Sequence, residues 1–134
     1  MARYVIDAVT LLHLIDQEIE VHESHQLVAP NAIRSQALEL LLTEVRAGTR
    51  TEREALATHE RVTETKMRLL GDRVSRGTAW KLTMRHGWES LREAEYIAVA
   101  RLQADALVTV DPRMAAMAEL EVPVAPLSAL SVSG

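Results

Sequence analysis

Short hydrophobic runs alternate along the chain with segments in which apolar residues recur at helical spacing. Residues 3–7 and 26–29 have the composition of short buried strands, and Pro30 ends the second of them. The segments 105–111 and 122–126 predict two further strands. Because short apolar strands that alternate with helices are typical of parallel sheets, we predict an α/β fold. It has a mostly parallel sheet of four or five strands, with helices on both faces.

The helical segments begin and end at recognisable signals. Gly48 and Gly71 each end a predicted helix, where glycine readily adopts the left-handed conformation of a helix end. Thr51 and Glu54 match a capping box, and we expect one long helix from there to Gly71. The tail over 127–134 is expected to fray. Helices are predicted over 9–15, 32–48, 51–71, 75–87, 90–103 and 112–119.

Length and composition are those of a globular protein. The 134 residues are enough for one hydrophobic core, so we predict a single domain over 1–134. The absence of cysteine excludes a disulfide framework, a zinc–thiolate site and a cysteine nucleophile. The sequence contains neither a signal-peptide layout nor a run of about 20 uninterrupted apolar residues. We therefore expect a cytoplasmic protein that does not cross a membrane.

Charge is distributed unevenly along the chain, whose net charge is −4. Basic and acidic residues number 2 and 7 over 1–45, 10 and 5 over 46–85, and 3 and 7 over 86–134. The basic middle is either the solvated surface of helices or a cationic platform for a phosphate backbone. With no phenylalanine and few other aromatic residues for base stacking, RNA would have to be bound through basic side chains. The candidates are Arg46, Arg50, Arg53, Arg73 and Arg76.

Two acidic residues stand at the ends of predicted strands. Asp7 ends the first strand, and Asp111 ends the strand over 105–111. Since the carboxyl ends of parallel strands meet at one edge of the sheet, these two carboxylates are expected to converge. Each also precedes a helix, where aspartate caps free backbone N–H groups, and Pro112 suits the first helical position. Capping explains either acid alone, whereas a convergent pair of like charges predicts a bound Mg²⁺ or Mn²⁺ ion.

The helix over 90–103 carries two further acidic candidates, Glu93 and Glu95. They lie about 200° apart around a regular helix, so they cannot both face one metal ion. Ser90 and Glu93 also match a capping box, in which Glu93 reaches back to the backbone N–H of Ser90. Periodicity alone leaves both glutamates open.

The stretches "YVIDAVTLL", "APNAIRSQALELL" and "REAEYIAVARLQADALVTVDPRM", in this order, resemble the PIN domain. In particular, they are similar to the VapC-type toxins of bacterial toxin–antitoxin pairs, and the resemblance covers nearly the whole chain. It implies a three-layer α/β/α fold whose clustered acids bind Mg²⁺ or Mn²⁺ and hydrolyse RNA. It also implies a homodimer that is silenced by a cognate VapB-type antitoxin.

The resemblance implies roles for individual residues. Asp7, Glu93 and Asp111 match the family's first, third and fourth acids and would be the catalytic metal ligands. Gln36 stands where the family commonly has a glutamate, and it brings no charge to a hard divalent cation. Glu39 lies one turn after Gln36 on the same helical face, and we hypothesise that it supplies the missing charge. The alternative is that Glu39 is a solvated surface acid.

Two other functions stay open at the level of sequence. A PIN-like protein with weak or no nuclease activity could serve as a binding module, and Gln36 favours this alternative. A phosphohydrolase is the second, because "DAVTLL" faintly resembles the nucleophile loop of haloacid-dehalogenase-like phosphatases. That loop requires another aspartate two residues after the first, and Val9 occupies this position. Metal titration tests the first alternative, and trapping of a phosphoenzyme tests the second.

Overall fold

Four strands and six α-helices make up the part of the chain that the computed structural model describes, residues 1–133. The strands are β1 (Arg3–Ile6), β2 (Gln26–Pro30), β3 (Arg68–Leu70) and β4 (Ala106–Val108). The helices are α1 (Ala8–Asp16), α2 (Ile33–Ala47), α3 (Glu52–Glu64), α4 (Arg73–His86), α5 (Leu91–Gln103) and α6 (Pro112–Glu119). None of the helices in this part of the chain is long and apolar enough to cross a membrane.

All neighbouring strands run parallel, in the order β3-β2-β1-β4. Val5 of β1 pairs with Val28 of β2 on one side and with Leu107 of β4 on the other. The chain therefore moves outward from β1 to β3 and then crosses back over the sheet to β4. In sheets of this kind, ligands bind in the crevice beyond the carboxyl ends of the strands at which the direction reverses. Here these strands are β1 and β4, which end at Ile6 and Val108.

Helices cover both faces of the sheet. Successive side chains of a strand point to opposite faces, and Val5 and Ile6 of β1 are both completely buried. α1, α2 and α3 pack against one another, whereas α5 lies on β1, β2 and β4 and contacts α4. Leu11, Leu41 and Ile97 are completely buried, and each such side chain contributes about 1.5–3 kcal/mol of hydrophobic free energy. The predicted three-layer α/β/α fold with a parallel sheet is confirmed, with four strands.

The expected long helix over 51–71 is wrong in its last third. The capping box forms as predicted, with hydrogen bonds of 3.1 and 2.9 Å between Thr51 and Glu54, but α3 ends at Glu64. Arg68–Leu70 pairs with β2 instead. A strand of 3 residues is too short to show an alternating pattern, and its pairing rather than its own sequence stabilises it.

The strand predicted over 105–111 is shorter than expected. β4 ends at Val108, because the next two residues leave the sheet for the junction between β1 and α1. Thr109 donates its hydroxyl proton to Asp7, and the backbone N–H of Val110 donates to the Thr10 hydroxyl. Thr109 and Val110, which follow the strand, therefore contact the start of α1 instead of extending the sheet.

The last predicted strand, over 122–126, forms only one parallel bridge, from Val124 to Leu107. Two hydrogen bonds of 3.0 and 2.9 Å connect Leu107 with the carbonyl group of Pro123 and the N–H of the residue after Val124. Pro123 and Pro126 lack the N–H groups that a longer ladder would need. The sheet therefore has four strands and an isolated bridge rather than five strands.

The expectation of a frayed tail is wrong for residues 127–131, which form a 3₁₀-helix. Leu130 is completely buried, and its carbonyl oxygen accepts from the backbone N–H of His22 at 2.7 Å. His25 Nε2 lies 2.5 Å from the carbonyl oxygen of Val132. These contacts attach the segment to the region before β2. Gly134, the last residue of the predicted tail, lies outside the described residues.

Candidate active site

A small cleft of about 220 Å³ opens beyond the carboxyl ends of β1 and β4. Side chains from the β1–α1 junction, α2, α5 and the start of α6 line it. Among them are five residues that the sequence singles out, Asp7, Gln36, Glu39, Glu93 and Asp111. The fold thus brings together candidate residues from four separate parts of the chain.

Carboxylates are the majority of the charged side chains that line this cleft. Asp7, Glu39, Glu93 and Asp111 contribute four acidic groups, and Arg92 contributes a basic group. An excess of negative charge in a concave site attracts cations and repels anions. An anionic substrate would therefore need a cation in the cleft to offset this charge.

Three donors fix the Asp7 carboxylate. Oδ1 accepts from the backbone N–H of Thr10 at 3.2 Å and from the Thr10 hydroxyl, and Oδ2 accepts from the Thr109 hydroxyl at 2.8 Å. The bond from the backbone of Thr10 is the N-cap of α1, as predicted for an aspartate before a helix. An ionised carboxylate has about four acceptor sites, so one site on Oδ2 remains for a further ligand.

Asp7 is buried without a compensating cation. It is 8% exposed, and none of the ion pairs within residues 1–133 includes it. Burial raises the pKa of Asp7 above its ordinary value of 3.8, against the lowering effect of the hydrogen bonds from Thr10 and Thr109. A nearby positive charge stabilises the ionised form of such a carboxylate. Among the residues of the cleft, Asp7 is the strongest indication of a cation site.

Two threonine hydroxyls connect Asp7 to the loop that carries Asp111. Thr10 Oγ1 accepts from the backbone N–H of Val110 at 3.0 Å, and Thr109 Oγ1 accepts from that of Asp111 at 3.1 Å. Each hydroxyl has a single proton, which it donates to Asp7. Neither threonine is predicted from the sequence, although each stands within three residues of a predicted acid. Their closeness in sequence to Asp7 and Asp111 is the one feature of the sequence that could have identified them.

Asp111 caps α6, as predicted. Its Oδ1 accepts from the backbone N–H of Arg113 at 2.9 Å, and Pro112 occupies the first turn. The cap uses one acceptor site of the carboxylate and leaves the others available. Capping and a role in the cleft are therefore compatible for Asp111, as they are for Asp7.

The capping box predicted at Ser90 and Glu93 does not form. Ser90 Oγ accepts from the backbone N–H of Arg92 at 3.0 Å, and Glu93 forms an ion pair with Arg113, with 3.0 Å between Oε1 and Nη1. Glu95 lines a separate pocket and not the acidic cleft. The structure therefore places Glu93, and not Glu95, with the other acids.

Position 36 is neutral and already has a partner. Gln36 Oε1 accepts from the hydroxyl of the buried Tyr96 at 2.5 Å. Burial and the charges of Asp7 and Glu95 raise the pKa of Tyr96, which keeps this hydroxyl protonated as a donor. Glu39 lines the cleft one turn further along α2, and it is exposed. Of the two, Glu39 supplies a charge and Gln36 supplies an amide.

The side chains of the cleft have the chemistry of a divalent-cation site but are not drawn together around one point. Carboxylate oxygens are the ligands that Mg²⁺ and Mn²⁺ prefer, and the buried Asp7 has an acceptor site to offer. No three acidic or histidine side chains within residues 1–133 lie close enough to hold an ion. Asp7 is fixed by three donors, whereas Glu93 and Asp111 are partly exposed and each has a single partner, Arg113. The chemical type of these ligands therefore suits Mg²⁺ or Mn²⁺, although their positions do not yet form a coordination shell.

None of the five arginines predicted to bind RNA lines the cleft in the described part of the chain. Arg50 is held by Asp16 and Glu44 at 2.8 and 2.6 Å, so its guanidinium joins α1 to α2. Arg76 lines the same pocket as Glu95. The other three are exposed on α2, α3 and α4: Arg46, Arg53 and Arg73.

Two other arginines stand beside the acids, and neither is predicted from the sequence. Arg92 lines the cleft, and Arg113 contacts Glu93. Each lies within two residues of an acid that the sequence singles out, Glu93 or Asp111. The charge count by blocks concealed them, because both fall in the acidic third of the chain.

A larger cleft, of about 1050 Å³, lies at the amino ends of β2 and β3. None of the predicted metal-binding or RNA-binding residues belongs to its lining. Its lining includes acidic and basic side chains, among them Glu18, Glu20, Arg61 and Lys66. Its mixed charge distinguishes it from the acidic cleft at Asp7.

No protein-family model matches the sequence, and no curated protein matches it. Among solved structures, the protein PAE2754 from Pyrobaculum aerophilum is similar in fold, with a TM-score of 0.73. The two sequences are 20% identical, and the similarity covers 96% of this chain and 93% of that chain. At this identity the similarity establishes the shared fold alone.

Proposed function

We propose that this protein is a Mg²⁺- or Mn²⁺-dependent ribonuclease of the VapC type, which hydrolyses RNA phosphodiester bonds. The observation that carries the proposal is the presence of Asp7, Glu93 and Asp111 in one cleft, where Asp7 is buried without an ion-pair partner among residues 1–133. A bound divalent cation would supply the missing positive charge. The motifs that resemble the PIN domain contain these same three residues, which also supports the proposal.

In the proposed mechanism, Asp7, Glu93 and Asp111 hold the cation. When bound, it lowers the pKa of an attacking water and offsets the charge that develops on the phosphate. Asp7 offers Oδ2, because Thr10 and Thr109 occupy its other acceptor sites. These hydroxyls hold Asp7 in one orientation before any ligand arrives. The mechanism requires no side chain as nucleophile.

Basic side chains would hold the RNA. Arg92 and Arg113 stand next to the acids and are best situated for phosphates near the scissile bond. Exposed arginines of the basic middle, such as Arg46, Arg53 and Arg73, would contact the strand further away. With few aromatic residues, we expect recognition of RNA by shape and local sequence rather than by stacked bases.

The biological setting in this proposal rests on the resemblance to VapC-type toxins. The substrate would be a cellular RNA, such as a transfer or ribosomal RNA, in the cytoplasm. A VapB-type antitoxin would cover the acidic cleft, and the protein would form a homodimer. Co-purification with the product of an adjacent small reading frame, and loss of RNA cleavage in that complex, would test this setting.

The test of the ribonuclease is Mg²⁺-dependent RNA cleavage by the wild type and by Asp7→Asn. We expect the substitution to reduce cleavage at least about 100-fold, because the neutral amide weakens metal binding at the most buried ligand. Asp105→Asn is the matched control, since the Asp105 carboxylate lies outside the cleft and accepts from the backbone of Arg3 at 2.7 Å. Equal cleavage by wild type and Asp7→Asn would exclude the proposed mechanism.

A binding module without nuclease activity is the second candidate. The hydrogen bond between Gln36 and Tyr96 favours it. So does the distance between the acids, since no three acidic or histidine side chains within residues 1–133 lie close enough to hold one ion. Calorimetric titration with Mn²⁺ separates the two candidates. A folded wild type that binds no divalent cation would decide for the binding module.

A further inference from the structure

Arg113 is joined to two of the acids of the cleft. Its backbone N–H donates to Asp111 Oδ1 at 2.9 Å, and its guanidinium Nη1 lies 3.0 Å from Glu93 Oε1. The side chain of Arg113 is 67% exposed and that of Glu93 is 23% exposed. An ion pair this exposed is weak and exchanges readily for another partner. Glu93 therefore has a cation in this structure, but a replaceable one.

We infer that Arg113 neutralises Glu93 in the metal-free protein, in the place of the metal ion, and that it binds a substrate phosphate once the metal has displaced it. This inference rests on the proposed ribonuclease function and adds to it the residue that couples metal to RNA. Two cations that share one carboxylate repel each other, so a metal ion at Glu93 weakens its pair with Arg113. The released guanidinium is a planar donor that matches the oxygens of a phosphate.

The backbone around Arg113 allows the side chain to change partners without moving the site. Asp111 caps the first turn of α6 through the N–H of Arg113, and Pro112 fixes the preceding backbone angle. The guanidinium can therefore turn from Glu93 to a phosphate while the residue itself stays beside the acids. Arg92 also lines the cleft but is in no ion pair within residues 1–133, so metal binding releases nothing there.

This arrangement predicts that metal and RNA bind cooperatively. The metal ion displaces Arg113 and thereby supplies a phosphate ligand, and by linkage a phosphate that holds Arg113 strengthens metal binding. Without metal, Arg113 remains on Glu93 and the acids repel the RNA.

The test uses Arg113→Gln, which removes the charge at similar size, and Arg113→Lys, which keeps it. Mn²⁺ affinity is measured without RNA by calorimetry, and KM for RNA cleavage is measured at saturating Mn²⁺. In Arg113→Gln we expect Mn²⁺ to bind about 2- to 5-fold more tightly, the effect of removing one exposed competing ion pair. We expect KM to rise about 5-fold, since one charged contact to phosphate is lost. Arg113→Lys should lie between Arg113→Gln and the wild type in both measurements.

Lys81→Gln is the control, because Lys81 is exposed on α4, lies outside the cleft and is not among the side chains proposed to hold the RNA. We expect wild-type Mn²⁺ affinity and KM for it. A damaged fold would weaken both metal and RNA binding, so changes in opposite directions exclude a damaged fold as their cause.

If Arg113→Gln binds Mn²⁺ no more tightly than the wild type, Arg113 does not compete with the metal ion for Glu93. If its KM for RNA is unchanged, Arg113 does not bind a substrate phosphate. Either result leaves the ribonuclease proposal intact if the wild type cleaves RNA. A wild type that neither binds Mn²⁺ nor cleaves RNA would remove both proposals.

Discussion

Two largely buried carboxylates, those of Glu121 and Asp7, differ in what neutralises them. The side chain of Glu121 is 6% exposed and lies within 2.5 to 3.0 Å of Arg85, His86 and Arg101. Asp7 is 8% exposed and has hydroxyl and backbone N–H donors but no cation among the described residues. The hydrogen bonds from His86 and Arg85 lower the pKa of Glu121, whereas burial raises that of Asp7.

The difference separates a structural carboxylate from a candidate ligand. The cations around Glu121 come from the ends of α4 and α5, so their ion pairs attach both helices to the segment after α6. A carboxylate with resident cations has little affinity left for a metal ion, whereas Asp7 keeps an open acceptor site. Glu93 is intermediate, because its single partner, Arg113, is largely exposed.

The largest effect on RNA cleavage is expected from a substitution of Glu93 inside the cleft. Glu95, on the same helix α5 but outside the cleft, provides the matched control. Glu93→Gln should reduce Mg²⁺-dependent RNA cleavage about 100-fold or more, because it removes a charged ligand. Glu95→Gln should change it less than about 2-fold, since Glu95 lines a different pocket. Initial cleavage rates at saturating metal measure both. Equal losses of activity in the two variants would contradict the assignment of Glu93, rather than Glu95, to the metal site.

The second-largest effect concerns the free energy of unfolding: we expect the wild type to be more stable than Asp7→Asn with Mn²⁺ and less stable without it. At about 100 times its dissociation constant, Mn²⁺ should add about 2.7 kcal/mol to the free energy of unfolding of the wild type, and much less to that of Asp7→Asn. Without metal, Asp7→Asn should be the more stable protein, because it lacks a buried charge that no cation offsets. Urea denaturation with and without Mn²⁺ measures both.

This reversal has a defined pH dependence. Because the pKa of Asp7 is raised in the folded state, the native protein binds the extra proton between the ordinary value of 3.8 and the raised value. The metal-free wild type should therefore lose stability as pH rises through that interval, and Asp7→Asn should lack this slope. If Asp7→Asn is instead less stable than the wild type at pH 7 without metal, the hydrogen bonds from Thr10 and Thr109 stabilise the ionised carboxylate by more than its burial costs.

At Glu121, the corresponding substitution should have the opposite effect on stability. Glu121→Gln should lower the free energy of unfolding by about 1 to 3 kcal/mol at pH 7, because three basic side chains lose their common partner. The side chains of Arg85 and Arg101 are 55% and 47% exposed, which keeps the loss below that of a fully buried pair. RNA cleavage per folded molecule should not change.

The pH dependence of the Glu121 cluster also has the opposite sign. Since the pKa of Glu121 is lowered in the folded state, its stabilising contribution is present above the ordinary value of 4.5 and is lost as pH falls below it. Urea denaturation at pH 7 and in acid measures the change, with the exposed Glu119→Gln as control. Equal stability of Glu121→Gln and Glu119→Gln would mean that the ion pairs contribute nothing.

The fold was largely predictable because its strongest signals are local. β1, β2 and β4 are apolar runs, and α1, α2, α5 and α6 have caps or breakers at their ends. The failures are segments that depend on distant partners. Arg68–Leu70 becomes a strand by pairing with β2, and Leu130 fixes the tail through a contact with His22. A single sequence carries no local trace of such pairings.

The candidate site was predictable at its acids but not at their partners. Asp7 and Asp111 converge because both follow neighbouring parallel strands, a rule that topology supplies. Thr10, Thr109 and Arg113 act through contacts across the cleft, which periodicity does not encode. Their roles follow from the three-dimensional arrangement alone.

The smallest effect is expected at Glu39, an exposed acid in the same cleft. Glu39→Ala should weaken Mn²⁺ binding about 2- to 5-fold, because a solvated charge acts on the ion through screened attraction. Raising the salt concentration should shrink this difference, whereas it would leave the effect of a direct ligand largely intact. Glu60→Ala, at an exposed acid on α3, is the control. A loss near 100-fold that persists in high salt would make Glu39 a direct ligand in the place of Gln36, and no loss would make it an ordinary surface acid.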